Sequence, residues 1–344
     1  MSKILSVIVP SYNMEKYLPK CLGSLVQGQN LAEKLQVLVV NDGSKDRTSE
    51  IAHEFAVKWP ETFQVIDKPN GNYGSCINAA LPIVSGKYVK VLDADDWFES
   101  KAFRSYLIFL ENTDDVDLVL TDYDMVDVDD RVLHKCRCGF NPFEPFSVVR
   151  FLETGSHLFM HAYTYRTDLF KRLAYQQLEG CSYTDWQWVI LPLSVVRRVR
   201  YCPLVVYKYL NGRVGQTTDG VQVATNWWML GEVALDTIRQ FASCEFENGD
   251  VRRMLLRKIC LRVERVYRTG LLDRREQDFE YLRDFDSRLK ELSREVYDLC
   301  GGLTYSRFVP YRFVKAWRDK RRWRFMIRGL CVSTTRLARA IRGN

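Results

Sequence analysis

Asp93-Ala94-Asp95-Asp96 places three carboxylates in four consecutive positions. Carboxylates at alternate positions beyond a strand end can present oxygens to one side. Like charges held close together are costly unless a cation sits among them. Mg²⁺ and Mn²⁺ prefer oxygen ligands and commonly combine one or two carboxylates with substrate phosphates. The pattern points to a nucleotide-diphosphate site; a solvated acidic turn capping the next helix is the plainer reading. Asn41-Asp42-Gly43-Ser44-Lys45-Asp46 is a second candidate. Its glycine, serine and Asp46 suit a turn and helix cap, which leaves Asp42 to accept hydrogen bonds from a base or ribose. A third is Lys68-Pro69-Asn70-Gly71-Asn72-Tyr73-Gly74-Ser75, a glycine-bearing loop entering a helix, where backbone N–H groups can meet an anion. It is neither a P-loop nor a dinucleotide fingerprint. His157 and His161 stand apart from these motifs; lone histidines are more often satisfied core or surface residues, with metal or acceptor contact as the lesser reading.

Elements must carry these motifs to one place. Ile4–Val9 reads as a buried strand ended by Pro10, and Leu35–Val40, Thr62–Ile66, Tyr88–Leu92 and Val116–Thr121 read as further strands. Helical spacing runs through Glu15–Gln29, from Asp46 or Arg47 to Lys58, and through Gly74–Val84, and Ser100 caps a helix to Leu110. Strands alternating with helices predict βαβ units, hence an α/β fold with a mainly parallel sheet. Ligands of such sheets bind beyond the carboxyl ends of the strands, where all the motifs above fall. Further on, helices are expected over Pro145–Glu153, from Thr167 or Asp168 to Ala174, and over Asp185–Val195. Strand patterns fall at His157–Tyr165 and Tyr201–Tyr209.

The chain has 344 residues, 47% hydrophobic and 27% charged, which excludes wholesale disorder and a disulfide-stapled miniprotein. Its 10 cysteines are scattered without a C-x-x-C pair. With no basic and apolar leader at Met1–Leu5, they read as reduced, mostly buried thiols of a cytosolic protein. No apolar run reaches the roughly 18 residues that span a bilayer. Charge is uneven: Val251–Asn344 holds 25 Lys and Arg against 11 Asp and Glu, and from Tyr305 onward the count is 12 against 1. A basic C-terminal part on a mildly acidic body follows. We divide the chain into a catalytic region, 1–218, and a basic helical region, 219–344.

Taken together, Ser6-Val7-Ile8-Val9-Pro10-Ser11-Tyr12-Asn13, Val40-Asn41-Asp42-Gly43-Ser44-Lys45-Asp46, the Asn70–Asn78 loop-helix and Asp93-Ala94-Asp95-Asp96-Trp97 resemble inverting family-2 glycosyltransferases of the GT-A fold. The resemblance covers the first 100 or so residues firmly and extends loosely to about 215. It implies that Pro10, Tyr12 and Asp42 hold the nucleoside, with Lys68 and Asn70 bordering it. It places Asp93 on the ribose side and Asp95 at a divalent metal, Mn or Mg, with Asp96 as the alternative ligand. The family's catalytic base is the Asp of a Glu-Asp pair, which falls on Asp185; Thr184 departs from the glutamate. Arg213 and Gln216 lie in a stretch resembling the family's mobile loop, where Arg213 would meet the departing diphosphate.

These implications give an expected function: transfer of a sugar from a nucleotide sugar, UDP-linked by family habit, to a saccharide or lipid-linked acceptor in cell-surface polysaccharide assembly. A sugar-1-phosphate nucleotidyltransferase is the alternative enzyme, although Pro10-Ser11-Tyr12-Asn13 lacks its glycine-rich loop. A catalytically silent partner-binding module is the alternative outside enzymes. Phe308–Leu330 mixes aromatic with basic residues, which suits an anionic membrane surface. The expectation is a cytoplasmic protein, peripheral on the inner face of the plasma membrane. No nucleic-acid partner is expected.

Overall fold

The computed structural model describes residues 3–26, 33–155, 159–213, 215–216, 220–272, 279–304 and 311–319. His157 and most of the basic tail beyond Tyr305 lie outside the described residues. The chain divides into two compact units, 1–257 and 258–344, where composition suggested a division near 218. The later boundary has a structural cause. Helix Trp227–Ala242 is tied into the first unit through Asp236, which accepts from Gln187 Nε2 at 2.9 Å, and through Gln240, which donates to the Gln176 carbonyl at 2.8 Å.

The first unit is built on ten strands among the described residues. They are β1 Leu5–Ser11, β2 Leu35–Asn41, β3 Phe63–Asp67, β4 Tyr88–Val91, β5 Trp97–Phe98, β6 Leu118–Val126, β7 Val132–Cys136, β8 Phe146–Ser147, β9 Tyr163–Arg166 and β10 Arg198–Leu210. The main path runs β3-β2-β1-β4-β9-β6-β10-β5. β1, β2, β3 and β4 are mutually parallel where they pair, as are β6 and β10. The sheet is nevertheless mixed. β9 lies antiparallel between β4 and β6, and β5, β7 and β8 pair antiparallel as well. Every residue of β1 is buried, as expected for a parallel strand covered on both faces. Pro10 does not end it: the ladder continues to Ser11, paired with Asn41.

Helices Leu18–Val26, Thr48–Lys58, Asn72–Ala80 and Ser100–Glu111 flank the sheet. Ser100 is not the cap of the last of these. Glu99 is, its carboxylate accepting from the Ala102 N–H at 2.7 Å. The C-terminal unit is helical, with Phe279–Leu292, Arg294–Gly301 and Phe313–Arg318. Leu282, Phe285, Leu289, Val296, Cys300, Phe313 and Val314 form its core. No helix among the described residues is long and apolar enough to cross a membrane.

Candidate functional site

Register decides which loops meet. Ser11 pairs with Asn41, and Asn41 with Asp67, so β1, β2 and β3 end side by side. β4, paired to the other edge of β1, ends at Val91. The segments 11–13, 41–46, 67–71 and 93–96 therefore share one rim of the sheet.

The first corner of this rim is organised by Asp42, which is buried. Its carboxylate accepts from Lys68 Nζ at 2.6 Å, the Gly71 N–H at 2.9 Å and Asn70 Nδ2 at 3.0 Å. The resemblance gives Asp42 to the nucleoside; in this structure its carboxylate also holds the loop that borders it, and Oδ2, which accepts from Asn70 Nδ2, keeps a further lone-pair site. Gly43 has a φ of +71°, and a Cβ there would lie 3.0 Å from the Asn70 nitrogen. Glycine meets both demands. Asn13, also in the left-handed region, accepts from the Lys45 N–H at 2.8 Å and donates its own N–H to Ser44 Oγ at 3.0 Å. That tie leaves the Tyr12 ring 45% exposed. Pro10 is buried within β1.

The second corner collects carboxylates. Asp93 accepts from the Tyr73 hydroxyl at 2.9 Å. Burial, then the nearby Asp95, push its carboxyl up to about 7, with Asp185 adding to the rise. Asp96 is buried, and each of its oxygens takes one donor: the Tyr207 hydroxyl at 2.6 Å and the Leu210 N–H at 2.7 Å. Burial, Asp95 and Asp93 hold it well above the usual carboxylate range. Asp96 thus ties the end of β10 to the rim, a structural duty the motif alone does not reveal. A carboxylate oxygen has two lone-pair sites, so each retains capacity for a further ligand.

Asp95 pairs with Arg213. The guanidinium also lies 5.5 Å from the centre of the Tyr17 ring. Gln216 is buried, donates to the Leu210 carbonyl at 2.7 Å and accepts from the Gly212 N–H at 3.0 Å. Its amide staples the 211–216 turn, so Gln216 shapes the loop while Arg213 is the member that reaches the carboxylates.

Asp185 opens helix Asp185–Ile190. Its charge raises both Asp93 and Tyr73, so the acid lies near both. The residue two before it, Tyr183, has a φ of +68°. A left-handed backbone costs a side-chain-bearing residue on the order of 1–2 kcal/mol, and such strain collects at functional sites. Thr184, standing where the family carries glutamate, is buried, and its hydroxyl finds no hydrogen-bond partner among the described residues. Two contacts couple this segment to the nucleotide-side loop. Gly180 N–H donates to the Gly71 carbonyl at 2.8 Å, and Asn78 accepts from the Gln177 N–H at 2.8 Å. At Gly74 a Cβ would come within 2.2 Å of the Leu178 carbonyl oxygen, so only glycine lets helix Asn72–Ala80 approach so closely.

One residue of the site escaped the sequence motifs. A ring nitrogen of His161 lies within 4.8 Å of carboxylate oxygens of Asp93 and Asp96, which lie as close to each other. The turn Met160–Ala162, leading into β9, delivers it. Burial and the neighbouring Lys90 push its imidazole down to about 3, so it is neutral. Lys90, itself lowered to about 7 by burial, donates to the carbonyls of His161 at 2.6 Å and Tyr163 at 3.1 Å. Two acids and a neutral imidazole converging in a buried corner are a donor set for a divalent cation.

A family model described as glycosyl transferase family 2 matches residues 6–173. An uncharacterized glycosyltransferase of Mycoplasma pneumoniae is 40% identical over 103 residues, 29% of this chain and 34% of that protein. The minor teichoic acid biosynthesis protein GgaB of Bacillus subtilis is 35% identical over 115 residues, 33% of this chain and 13% of its own length. The chain thus spans about a third or less of the length of these curated relatives. S. aureus TarS 1–349, solved in complex with UDP-GlcNAc, aligns with a TM-score of 0.65 over 92% of both chains at 20% identity. The mannosyltransferase PcManGT from Pyrobaculum calidifontis, solved with GDP-Man and Mn²⁺, aligns at 0.50 over 87% of this chain and 78% of that one, at 13% identity. At these identities the likeness is one of fold: a sheet flanked by helices, followed by a helical C-terminal region.

Proposed function

Residues 6–173 belong to glycosyl transferase family 2, and on that premise we propose that this chain moves a sugar from a nucleoside diphosphate to a hydroxyl acceptor, with inversion, during cell-surface polysaccharide assembly. The observation that carries the reading is the meeting of Asp93, Asp95, Asp96 and Arg213 on one rim, with the charge of Asp185 near enough to raise the Asp93 carboxyl. S. aureus TarS has been solved in complex with UDP-GlcNAc and with UDP, which supports a UDP-sugar donor. GgaB is named for teichoic acid biosynthesis, which supports a saccharide or lipid-linked acceptor.

In this reading Tyr12 offers an exposed ring to the base, and the Asp42–Lys68–Asn70 cluster fixes the loop that borders the nucleoside. Asp93 faces the ribose. Asp95 and Asp96 hold a divalent cation, Mn or Mg, which when bound offsets charge on the diphosphate. Arg213 leaves Asp95 when the donor arrives and turns its charge toward the leaving phosphates. Asp185 takes the proton of the acceptor hydroxyl as that oxygen attacks the anomeric carbon. One displacement inverts that carbon.

Asp185→Asn keeps the side-chain shape and removes the base. Transfer from a panel of nucleotide sugars, followed by mass spectrometry of the product, is expected to fall about 10²–10⁴-fold with donor binding retained. Near-normal transfer by Asp185→Asn removes that residue from the mechanism. We also propose that the basic segment 305–344 docks the protein on the anionic inner face of the plasma membrane. Liposome flotation with and without that segment tests this, and equal partitioning of both chains contradicts it.

A further inference from the structure

His161 stands in the carboxylate corner of this rim, and its surroundings set it apart from a packing residue. It is 6% exposed, and its Nδ1 has no hydrogen-bond partner among the described residues. A buried polar atom left without a partner costs about 1–3 kcal/mol, so its retention calls for a use. The ring is held in one orientation. It stacks on Tyr209 at 4.3 Å and lies against Tyr207 at 4.7 Å, with Tyr123 edge-on at 5.3 Å. Tyr207 does more than pack: its hydroxyl donates to Asp96 Oδ2 and accepts from the Asp93 N–H. One tyrosine therefore positions the imidazole with its ring and two aspartates with its hydroxyl, as supporting residues do around metal ligands. Lys90 fixes the His161 backbone from the other side.

We propose that His161 is a nitrogen ligand of the cation that Asp95 and Asp96 would hold at this rim, with Asp93, on the ribose side, close enough to His161 and Asp96 to share that ion, and that it biases the site toward Mn²⁺ over Mg²⁺. This rests on the reading of the rim as a cation and diphosphate site. The chemistry follows from ligand preference. Mg²⁺ demands near-ideal octahedral oxygen coordination, whereas first-row transition ions accept imidazole readily. A mixed set of one nitrogen and carboxylate oxygens favours the second group. The triad of ligand atoms lies within 4.8 Å of one another, close to the reach of one ion with bonds of about 2.0–2.3 Å, so small side-chain adjustments complete the set.

The test uses the full chain with UDP. Calorimetric titration of MnCl₂ and MgCl₂ compares the wild type with His161→Gln. The expected result is a Mn²⁺ affinity reduced about 10-fold or more, with Mg²⁺ affinity within about twofold. Pulsed electron paramagnetic resonance of Mn²⁺ bound to wild-type protein supplies a readout that needs no variant. Protein carrying ¹⁵N-histidine is expected to change the nitrogen modulation of the echo. Mn²⁺ bound without histidine nitrogen modulation, or equal losses of both ions in a folded His161→Gln, overturns the His161 assignment and leaves the cation site standing. Failure of the wild type to bind either ion overturns both readings.

Discussion

In the C-terminal unit, the half-buried Arg318 guanidinium donates to Asp286 at 2.8 Å and to the Tyr267 hydroxyl and the Tyr297 carbonyl, both at 2.9 Å, and covers the Tyr297 ring at 3.5 Å. Tyr267 completes the circuit by donating to Asp286. The rim of the sheet is built the other way. Asp93, Asp95 and Asp96 crowd like charges together, Asp185 adds its own, and a buried imidazole nitrogen goes without a hydrogen bond. The first cluster is complete within the chain and reads as architecture. The second raises two of its own carboxyls and becomes favourable only when something positive arrives, which is the mark of a binding site. Arg213 on Asp95 offsets one charge in the meantime.

The contrast can be broken by removing one acid from each cluster. Asp286→Ala leaves the half-buried Arg318 without its carboxylate and is expected to cost about 1.5–3 kcal/mol, read as a shifted urea transition, while donor binding persists. Asp93→Asn should hold or raise the stability of the ligand-free protein and weaken donor binding. Equal destabilisation by both would mean that the rim is architecture too.

Gly74→Ala sharpens the comparison at the backbone. The added methyl meets the Leu178 carbonyl, so strain of about 1–3 kcal/mol is expected, together with a loss of transfer because the displaced segment leads to Asp185. Full transfer by Gly74→Ala would show that this close approach does not position the base.

The smallest effect is in the pH dependence. Asp93 has a folded value near 7 against an ordinary 3.8. Between these values the folded chain keeps a proton that the unfolded chain has lost, so this group's contribution to stability falls as pH rises through that window. His161, lowered from 6.5 to about 3, has the opposite sign, so the informative quantity is the difference between wild type and Asp93→Asn. Asp93→Asn should gain on the order of 1 kcal/mol, roughly 2–4 °C in Tm, at pH 8 relative to pH 4. A difference independent of pH would contradict the raised carboxyl.

How much of this was written in the chain varies by element. β1, β2 and β4 were legible because buried parallel strands are short apolar runs that little else resembles, and the polar residues after them had to fall on one rim. Asp185 was located by its distance from Asp95 along a known pattern, not by local chemistry. A strand was expected over His157–Tyr165, but the place of β9 in the sheet was hidden. Its four residues pair antiparallel with strands on both sides, and nothing local distinguishes that from a parallel insertion. His161 enters the site only because β9 lies there, so its role could not be read from spacing. The duties of Asp42 and Asp96 inside the fold were hidden for a related reason: their donors Lys68, Asn70, Tyr207 and Leu210 all lie 26 or more residues away along the chain. A buried histidine two residues ahead of a tyrosine-rich strand was the available signal, and it is too common to act on alone.

The central claim is that the rim binds a cation-bridged diphosphate through Asp95. Thermal denaturation of the wild type and Asp95→Ala with UDP and GDP, each with and without Mn²⁺, tests it most directly. The account predicts that at least one of the two nucleotides raises Tm only when Mn²⁺ is present, and that Asp95→Ala loses this rise. An equal rise without Mn²⁺, or one undiminished in Asp95→Ala, would contradict it.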